Sequence, residues 1–211
     1  MALLTDKMLF LHIPKTGGTY VRAVLEKLGI RGKEIIHTHS RFPFLNEHID
    51  DDTLKDKLVW CFVRHPLTWY QSRWAHRCKT GWQINNPFDY YCASNDFKQF
   101  IRNCIKYWPT GWVTHEMCYY IDNIPKQCKK FIGLYENLDE DIKIALNSSN
   151  HSDLLPRYPE LLPVNTSELD GHRSYHLAVY DEETRAMVLE TEKALIDKYY
   201  SDEDWLKKIQ A

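Results

Sequence analysis

The sequence predicts a single α/β domain over residues 1–211, in which a central, mostly parallel sheet is flanked by helices. Residues 8–13 (MLFLHI) form a nearly continuous apolar run that is typical of a strand buried on both faces, and residues 58–63 (LVWCFV) form a second. A helical pattern follows each run, and strands that alternate with helices favour parallel pairing. With 211 residues and 44% hydrophobic content, the chain can bury one sizeable core.

The remaining elements follow from periodicity and from helix start and stop signals. The first helix has one apolar face, formed by Val21, Val24, Leu25 and Leu28, and Gly29 ends it. Pro66 suits the first turn of a second helix, which runs through Arg77. Further predictions are strands at Glu34–His37 and Lys130–Tyr135, a helix at Leu138–Leu146 with a capping box of Asn137 and Glu140, and a final amphipathic helix carrying Val188, Thr191, Leu195 and Tyr199.

The composition and the distribution of apolar residues argue against a nucleic-acid partner and a membrane partner. The formal charge is −2, from 27 Lys+Arg against 29 Asp+Glu, so no nucleic-acid partner is expected. A polar break at residues 5–7 leaves an apolar run too short for a signal peptide, and no other stretch is long enough to span a membrane. The six cysteines show no CxxC pairing. We therefore expect reduced thiols, a cytoplasmic location and no membrane partner.

The turn after the first strand has the composition of a phosphate loop, Pro14-Lys15-Thr16-Gly17-Gly18-Thr19. Two adjacent glycines let backbone N–H groups approach an anion, and the following helix directs its positive end at the same point. Lys15 adds a full charge, while the hydroxyls of Thr16 and Thr19 either cap the helix or bind the anion. The alternative interpretation is an ordinary glycine turn with a threonine cap and a solvated lysine.

The order of residues argues against an ATP-binding Walker loop, in which the lysine follows the last glycine. Here Lys15 precedes both glycines. A Walker-type magnesium site would also favour an acidic residue at the end of a neighbouring strand, and the strand at 58–63 is followed by Arg64. Both departures count against a small-molecule kinase that uses ATP and Mg²⁺.

The segment HIPKTGGT resembles the 5′-phosphosulfate loop of sulfotransferases that use 3′-phosphoadenosine-5′-phosphosulfate (PAPS). FVRHPLTWYQS resembles the second motif of that family, in which a strand-end arginine and a serine eight residues later bind the 3′-phosphate. The resemblance implies a P-loop-like sulfotransferase fold. It implies that the 5′-phosphosulfate is held by Lys15, by the backbone of Thr16, Gly17, Gly18 and Thr19, and by the two threonine hydroxyls. It also implies that Arg64 and Ser72 hold the 3′-phosphate.

Without the resemblance, the expected interpretation is that Arg64 is a surface ion-pairing residue and that Ser72 is a solvated helix serine. A site that selects PAPS over ATP nevertheless needs an arginine fork and a hydroxyl donor at a second phosphate, and these two residues supply both chemistries. Arg73 is a further candidate contact, although a solvated position on an exposed helix is the favoured interpretation.

A His-x-His pair, His37 and His39, lies between the two motifs. Such a pair can be half of a metal site, but no third ligand with convincing spacing is found, so no metal is predicted. Carbohydrate sulfotransferases of the uronosyl 2-O type carry a similar stretch in which the second histidine acts as base. By that resemblance His39 is the candidate base and His37 the reserve.

The predicted reaction is in-line sulfuryl transfer from PAPS to an acceptor hydroxyl, with a carbohydrate among the candidate acceptors. A kinase and a non-catalytic nucleotide-binding module are the alternatives. The aromatic segment at 82–120 either packs as core or stacks on an acceptor. The loop at 148–173 is either a lid or a plain surface loop. The sequence does not determine the oligomeric state.

Overall fold

A computed structural model describes residues 2–35, 45, 49–159 and 174–201. These residues form two compact units. The first comprises Met1–Arg64 with Met117–Val164, and the second comprises His65–Glu116 with Asn165–Ala211. The assignment of residues 1–211 to one domain stays a prediction.

The first unit is built on a five-stranded sheet among the described residues, and its order is β3-β1-β2-β4-β5. The strands are β1 (Ala2–Leu4), β2 (Met8–Leu11), β3 (Lys33–Ile35), β4 (Leu58–Val63) and β5 (Lys129–Leu134). β2, β4 and β5 are parallel to one another, as predicted, whereas β1 is antiparallel to both β2 and β3. The sheet is therefore mixed, and the prediction of a mostly parallel sheet is corrected.

The correction comes from the first seven residues. Residues 5–7 make a tight turn in which the hydroxyl of Thr5 accepts hydrogen bonds from the backbone N–H groups of Lys7 (3.3 Å) and Met8 (3.1 Å). A connection this short can join only antiparallel strands, since a parallel crossover needs a dozen or more residues. Sequence reasoning treated these polar residues only as the end of an apolar run, so it missed the three-residue strand before them.

The helices, in chain order, are α1 (Gly18–Lys27), α2 (Asp51–Leu54), α3 (Pro66–Thr80), α4 (Pro87–Cys92), α5 (Phe97–Tyr107), α6 (Trp112–Ile121), α7 (Leu138–Ser148), α8 (Ser174–Leu177), α9 (Glu182–Thr191) and α10 (Lys193–Tyr199). Turns of 3₁₀ helix lie at Tyr135–Asn137 and Ser152–Arg157. No described helix has the length and apolar content needed to cross a membrane.

The core of the first unit lies between the sheet and two helices. Val21, Val24, Leu25 and Leu28 from the predicted apolar face of α1, together with Ile142, Ala145 and Leu146 of α7, pack against Met8, Phe10, Trp60 and Phe62. All six residues of β4 are buried, which confirms the prediction of a strand covered on both faces. This core fixes the carboxyl ends of β2, β4 and β5 at one edge of the sheet.

The predicted capping box of α7 is wrong. Asn137 makes no side-chain capping hydrogen bond, because the 3₁₀ turn at Tyr135–Asn137 leads directly into the helix. Glu140 instead accepts a hydrogen bond from Lys143 (2.8 Å).

The second unit has an aromatic core. Trp69, Tyr70, Phe88 and Phe100 are buried and make edge-to-face contacts with one another. The interpretation of the aromatic segment as core holds for Phe88 and Tyr120, whereas Tyr90 and Tyr91 are exposed.

The final helix is two helices rather than one. The helix is interrupted at Glu192, which separates α9 from α10. The carboxylate of Glu192 is fully buried and accepts hydrogen bonds from the hydroxyl of Tyr70 (2.6 Å) and the backbone N–H groups of Val113 (3.0 Å) and Thr114 (2.7 Å). This carboxylate caps the start of α6. The periodicity that predicted a single helix carries no information about that distant partner.

Candidate active site

The loop between β2 and α1 has the backbone of an anion-binding turn. Lys15 has φ = +66° and Gly17 has φ = +81°, so the chain turns twice through the left-handed region before the helix begins at Gly18. Gly17 is the N-cap and has no side chain that could satisfy the first N–H groups of α1. The first turn also contains no acidic residue. The amino end of this ten-residue helix is therefore positive and offers backbone donors.

Both loop glycines are required by close packing. A methyl group on Gly18 would lie 2.1 Å from Cδ2 of His12, and one on Gly17 would lie 2.8 Å from Cδ2 of Leu138. The loop consequently approaches its surroundings more closely than any other residue type would allow. His12, which is 8% exposed, was not singled out from the sequence, because its close approach to Gly18 is visible only in the folded loop.

The two loop threonines differ in their surroundings. The hydroxyl of Thr16 is buried and donates to the carbonyl oxygen of Ile13 (2.9 Å), so it braces the turn. Thr19 is exposed on the first turn of α1, and Lys15 is half-buried. Of these three residues, Thr19 is the most exposed.

Arg64 lies directly after β4 and contacts the loop. Its Nη1 donates to the backbone carbonyl oxygen of Lys15 (3.1 Å), and the residue is 7% exposed. Because β2 and β4 are parallel neighbours, the glycine loop after β2 and Arg64 after β4 lie at the same edge of the sheet. The structure thus brings Lys15 and Arg64 together, and it places Arg64 in a buried position rather than at the surface.

Tyr135 completes this group and was not singled out from the sequence. The guanidinium carbon of Arg64 lies 3.9 Å from the centre of the Tyr135 ring. Val63 and Leu134 are register partners in the parallel pair of β4 and β5, so Arg64 and Tyr135 each follow a paired residue. The signal that could have found Tyr135 is its position at the carboxyl end of the predicted strand Lys130–Tyr135.

A carboxylate clamp stabilises the first turn of α1. Asp139 Oδ1 accepts hydrogen bonds from the hydroxyls of Tyr20 (2.7 Å) and Tyr158 (2.8 Å). Partial burial and the neighbouring carboxylate raise the pKa of Tyr20 to about 12, and the same two causes raise the pKa of Tyr158. The clamp links α1, α7 and the residue that follows the 3₁₀ turn at Ser152–Arg157.

Ser72 lies in the second unit, on α3, where it is buried. The sequence predicted that Arg73, the next residue, is solvated, and this is wrong. Its Nη2 pairs with Asp89 (2.6 Å), and Asp89 also pairs with Nε of Arg77 (2.6 Å). Because Asp89 is fully buried between these two cations, Arg73 is part of the interior of its unit.

The candidate bases, His37 and His39, lie outside the described residues, and so does part of the loop at 148–173, from residue 160 onward. The described part of that loop includes a 3₁₀ turn at Ser152–Arg157 instead of extended chain. Within the described ranges, no group of three or more His, Cys, Asp and Glu side chains is arranged to hold a metal ion.

Comparison with known families identifies the class of protein. The model of the sulfotransferase family matches residues 4–203, which is nearly the whole chain and includes both motifs. The chain belongs to the sulfotransferase family, whose members are transferases. No curated protein matches it, and no solved structure matches it.

Proposed function

We propose that this chain transfers a sulfuryl group from PAPS to a hydroxyl group of an acceptor, with carbohydrates as the first acceptor class to test. The observation that carries the proposal is the hydrogen bond from Arg64 to the backbone carbonyl oxygen of Lys15, in a glycine loop at a helix N-terminus. The contact brings the arginine fork to a loop that carries a lysine and backbone N–H donors, which suits a ligand with more than one anionic group.

The donor would be held at two positions. Lys15 and the backbone N–H groups from Thr16 to Thr19 would bind the 5′-phosphosulfate, with the exposed hydroxyl of Thr19 as a further donor. Arg64 and Ser72 would bind the 3′-phosphate. A guanidinium has five N–H donors in a planar fork, so a contact with the carbonyl of Lys15 is compatible with a contact to a phosphate.

The reaction needs a base, an aligned acceptor and stabilisation of the leaving phosphate. The acceptor oxygen forms a bond to sulfur while the bond from sulfur to the 5′-phosphate oxygen breaks, giving a sulfate ester and 3′-phosphoadenosine-5′-phosphate. His39, or His37 in its place, would accept the hydroxyl proton, an assistance worth about 10² to 10⁴-fold. Lys15 and the N–H groups of the loop would stabilise the negative charge on the departing phosphate.

Binding selectivity tests the nucleotide. The purified protein is titrated calorimetrically with 3′-phosphoadenosine-5′-phosphate, with AMP, and with ATP plus Mg²⁺, and the titrations are repeated on Arg64→Ala. We expect clear preference for the bisphosphate and its loss in the variant. Arg102→Ala is the matched control, because Arg102 is a half-exposed arginine paired with Glu183 in the second unit. Preference for ATP plus Mg²⁺ would favour a kinase instead.

Turnover separates an enzyme from a binding module. Labelled PAPS is incubated with a panel of carbohydrate, alcohol and phenol acceptors, and sulfate ester is measured for wild type, Lys15→Ala, His37→Ala and His39→Ala. We expect ester formation that falls in Lys15→Ala and His39→Ala. Tight bisphosphate binding without any ester on the whole panel would support a non-catalytic nucleotide-binding module.

A further inference from the structure

Asp139 holds the first turn of α1 from a neighbouring helix. Tyr20 is the third residue of α1, and its hydroxyl donates a hydrogen bond to Oδ1 of Asp139 (2.7 Å) in the first turn of α7. Leu138, the residue before Asp139, packs against the glycine loop, since a methyl group on Gly17 would lie 2.8 Å from its Cδ2. Two consecutive residues of α7 therefore restrain the loop and the helix that follows it.

The carboxylate of Asp139 is itself held in place. The hydroxyl of Tyr158 donates a second hydrogen bond to the same oxygen, Oδ1 (2.8 Å). Hydrogen bonds to a charged acceptor are stronger than those between neutral groups, so the carboxylate is a firm anchor for both hydroxyls. Partial burial and the carboxylate raise the pKa of Tyr20 to about 12, so the hydroxyl of Tyr20 keeps the proton that it donates at neutral pH.

This arrangement leaves the backbone donors of α1 to a ligand. Asp139 accepts its hydrogen bond from a side-chain hydroxyl, and Gly17 supplies no side-chain cap, so neither residue occupies the first N–H groups of the helix. These N–H groups bind an anion best when their direction is fixed before binding, because less entropy is then lost in the complex. Asp139 and Tyr20 thus restrain the end of the helix without competing for its donors.

We propose that Asp139 is a positioning residue that, through the hydroxyl of Tyr20, holds the amino end of α1 in the orientation that binds the 5′ group of the nucleotide. This inference rests on the proposed function, in which the loop and the first N–H groups of α1 bind the 5′-phosphosulfate. Asp139 acts through Tyr20 and makes no contact of its own with the ligand.

A pair of ligands that differ only in the 5′-phosphate tests the inference. Calorimetric affinities for 3′-phosphoadenosine-5′-phosphate and for adenosine 3′-monophosphate are measured on wild type, Tyr20→Phe, Asp139→Ala and the double variant Tyr20→Phe/Asp139→Ala. A thermal melt of each variant verifies that it is folded. Tyr20→Phe removes a single oxygen atom, so it carries the test if Asp139→Ala does not fold.

Two controls are matched to these variants. Glu140→Ala removes a carboxylate from the same turn of α7, where Glu140 pairs with Lys143 (2.8 Å) instead of with α1. Tyr158→Phe removes a hydroxyl from the same oxygen of Asp139, but from a residue that lies outside α1. Both control variants should bind the bisphosphate within about threefold of wild type.

We expect Tyr20→Phe and Asp139→Ala to weaken bisphosphate binding by about 5- to 20-fold, which is part of the contribution of one hydrogen bond to a charged group. Binding of adenosine 3′-monophosphate should stay within about twofold, because this ligand has no 5′ group for the helix end to hold. The double variant should bind the bisphosphate no more weakly than Asp139→Ala, because both changes break the same hydrogen bond.

Four results would overturn the inference while leaving the proposed function intact. Wild-type affinity of Tyr20→Phe for the bisphosphate would mean that this hydrogen bond does not hold the helix end. An equal loss of affinity for both ligands would mean general damage to the site. Tighter bisphosphate binding in both Asp139→Ala and Glu140→Ala would mean that the carboxylates act by charge. A loss in Tyr158→Phe as large as in Tyr20→Phe would mean that the effect does not pass through α1.

The wild type tests the proposed function separately. If it bound the bisphosphate no more tightly than adenosine 3′-monophosphate, the loop would not bind a 5′-phosphate, and the proposed function and this inference would be overturned together.

Discussion

The guanidinium of Arg64 donates a hydrogen bond to the backbone carbonyl oxygen of Lys15 across 3.1 Å, although 49 positions separate the two residues in the chain. The contact forms because β2 and β4 are parallel neighbours, so their carboxyl ends meet at one edge of the sheet. It joins the loop that carries the lysine to the strand end that carries the arginine. Two of the four predictions below concern this site, and the other two concern the packing of the second unit.

Replacing Arg64 by lysine should impair the site although the charge is retained. A lysine ammonium is a point charge and cannot reproduce the planar fork that reaches the carbonyl of Lys15 and lies over the ring of Tyr135. We expect affinity for 3′-phosphoadenosine-5′-phosphate to fall at least about tenfold, with the unfolding free energy changed by less than about 2 kcal/mol. Calorimetry and denaturant unfolding measure the two quantities. Wild-type affinity in Arg64→Lys would show that charge is sufficient.

Adding one methyl group at Gly18 should disrupt the loop. The new Cβ would lie 2.1 Å from the His12 ring, so the ring or the loop must move. We expect a loss of about 1–3 kcal/mol in unfolding free energy and at least tenfold weaker nucleotide binding. Gly29→Ala is the matched control. Gly29 has φ = +76° but nothing within 4 Å of a new Cβ, so it should cost about 1 kcal/mol through the backbone and leave binding unchanged. Equal binding defects in both variants would contradict this account.

Converting Glu192 to glutamine should destabilise the second unit. The buried carboxylate accepts from the hydroxyls of Tyr70 and Thr114 and from two backbone N–H groups at the start of α6, and an amide has only one acceptor oxygen. We expect a loss of about 2–4 kcal/mol in urea unfolding, because buried donors lose their acceptor. Glu183→Gln, at an exposed pair with Arg102, should leave the urea unfolding midpoint nearly unchanged. Similar losses in both variants would refute a capping role.

Acid should weaken the fold partly through His65. Its Nδ1 accepts the backbone N–H of Leu67 (3.2 Å) at the start of α3, and burial together with the positive charge of Arg185 lowers its pKa to about 4. In the unfolded chain the imidazole of His65 has its ordinary pKa of 6.5. Between pH 6.5 and 4, His65 therefore binds a proton in the unfolded state but not in the folded state. Stability should therefore fall as the pH falls through this window.

The size of this effect is measured by comparison with His65→Asn, since asparagine is a good N-cap that does not titrate. From pH 7 to pH 5 the wild type should lose on the order of 1–2 kcal/mol more unfolding free energy than the variant. His176→Asn, at an exposed histidine, should follow the wild type. Parallel pH profiles for wild type and His65→Asn would show that His65 does not contribute.

The local elements of the site were determined by the sequence. An apolar run, a glycine pair and a helical stripe within residues 8–28 specify strand, loop and helix from near-neighbour chemistry, and the structure has β2 and α1 at those places. The same is true of β4 and of the helix that starts at Pro66. Side-chain period, turn residues and caps act over a few positions, so they can be read without knowledge of the fold.

The tertiary structure alone decided which distant residues meet. The antiparallel pairing of β1 with β2 depends on a three-residue turn. The position of Tyr135 next to Arg64 depends on the register of β4 and β5. The interruption of the last helix at Glu192 depends on hydrogen-bond donors that are 78 to 122 positions away in the chain. Polar groups removed from water must find partners wherever the folded chain offers them. Such partners are set by the packing of whole elements, which local sequence patterns do not encode.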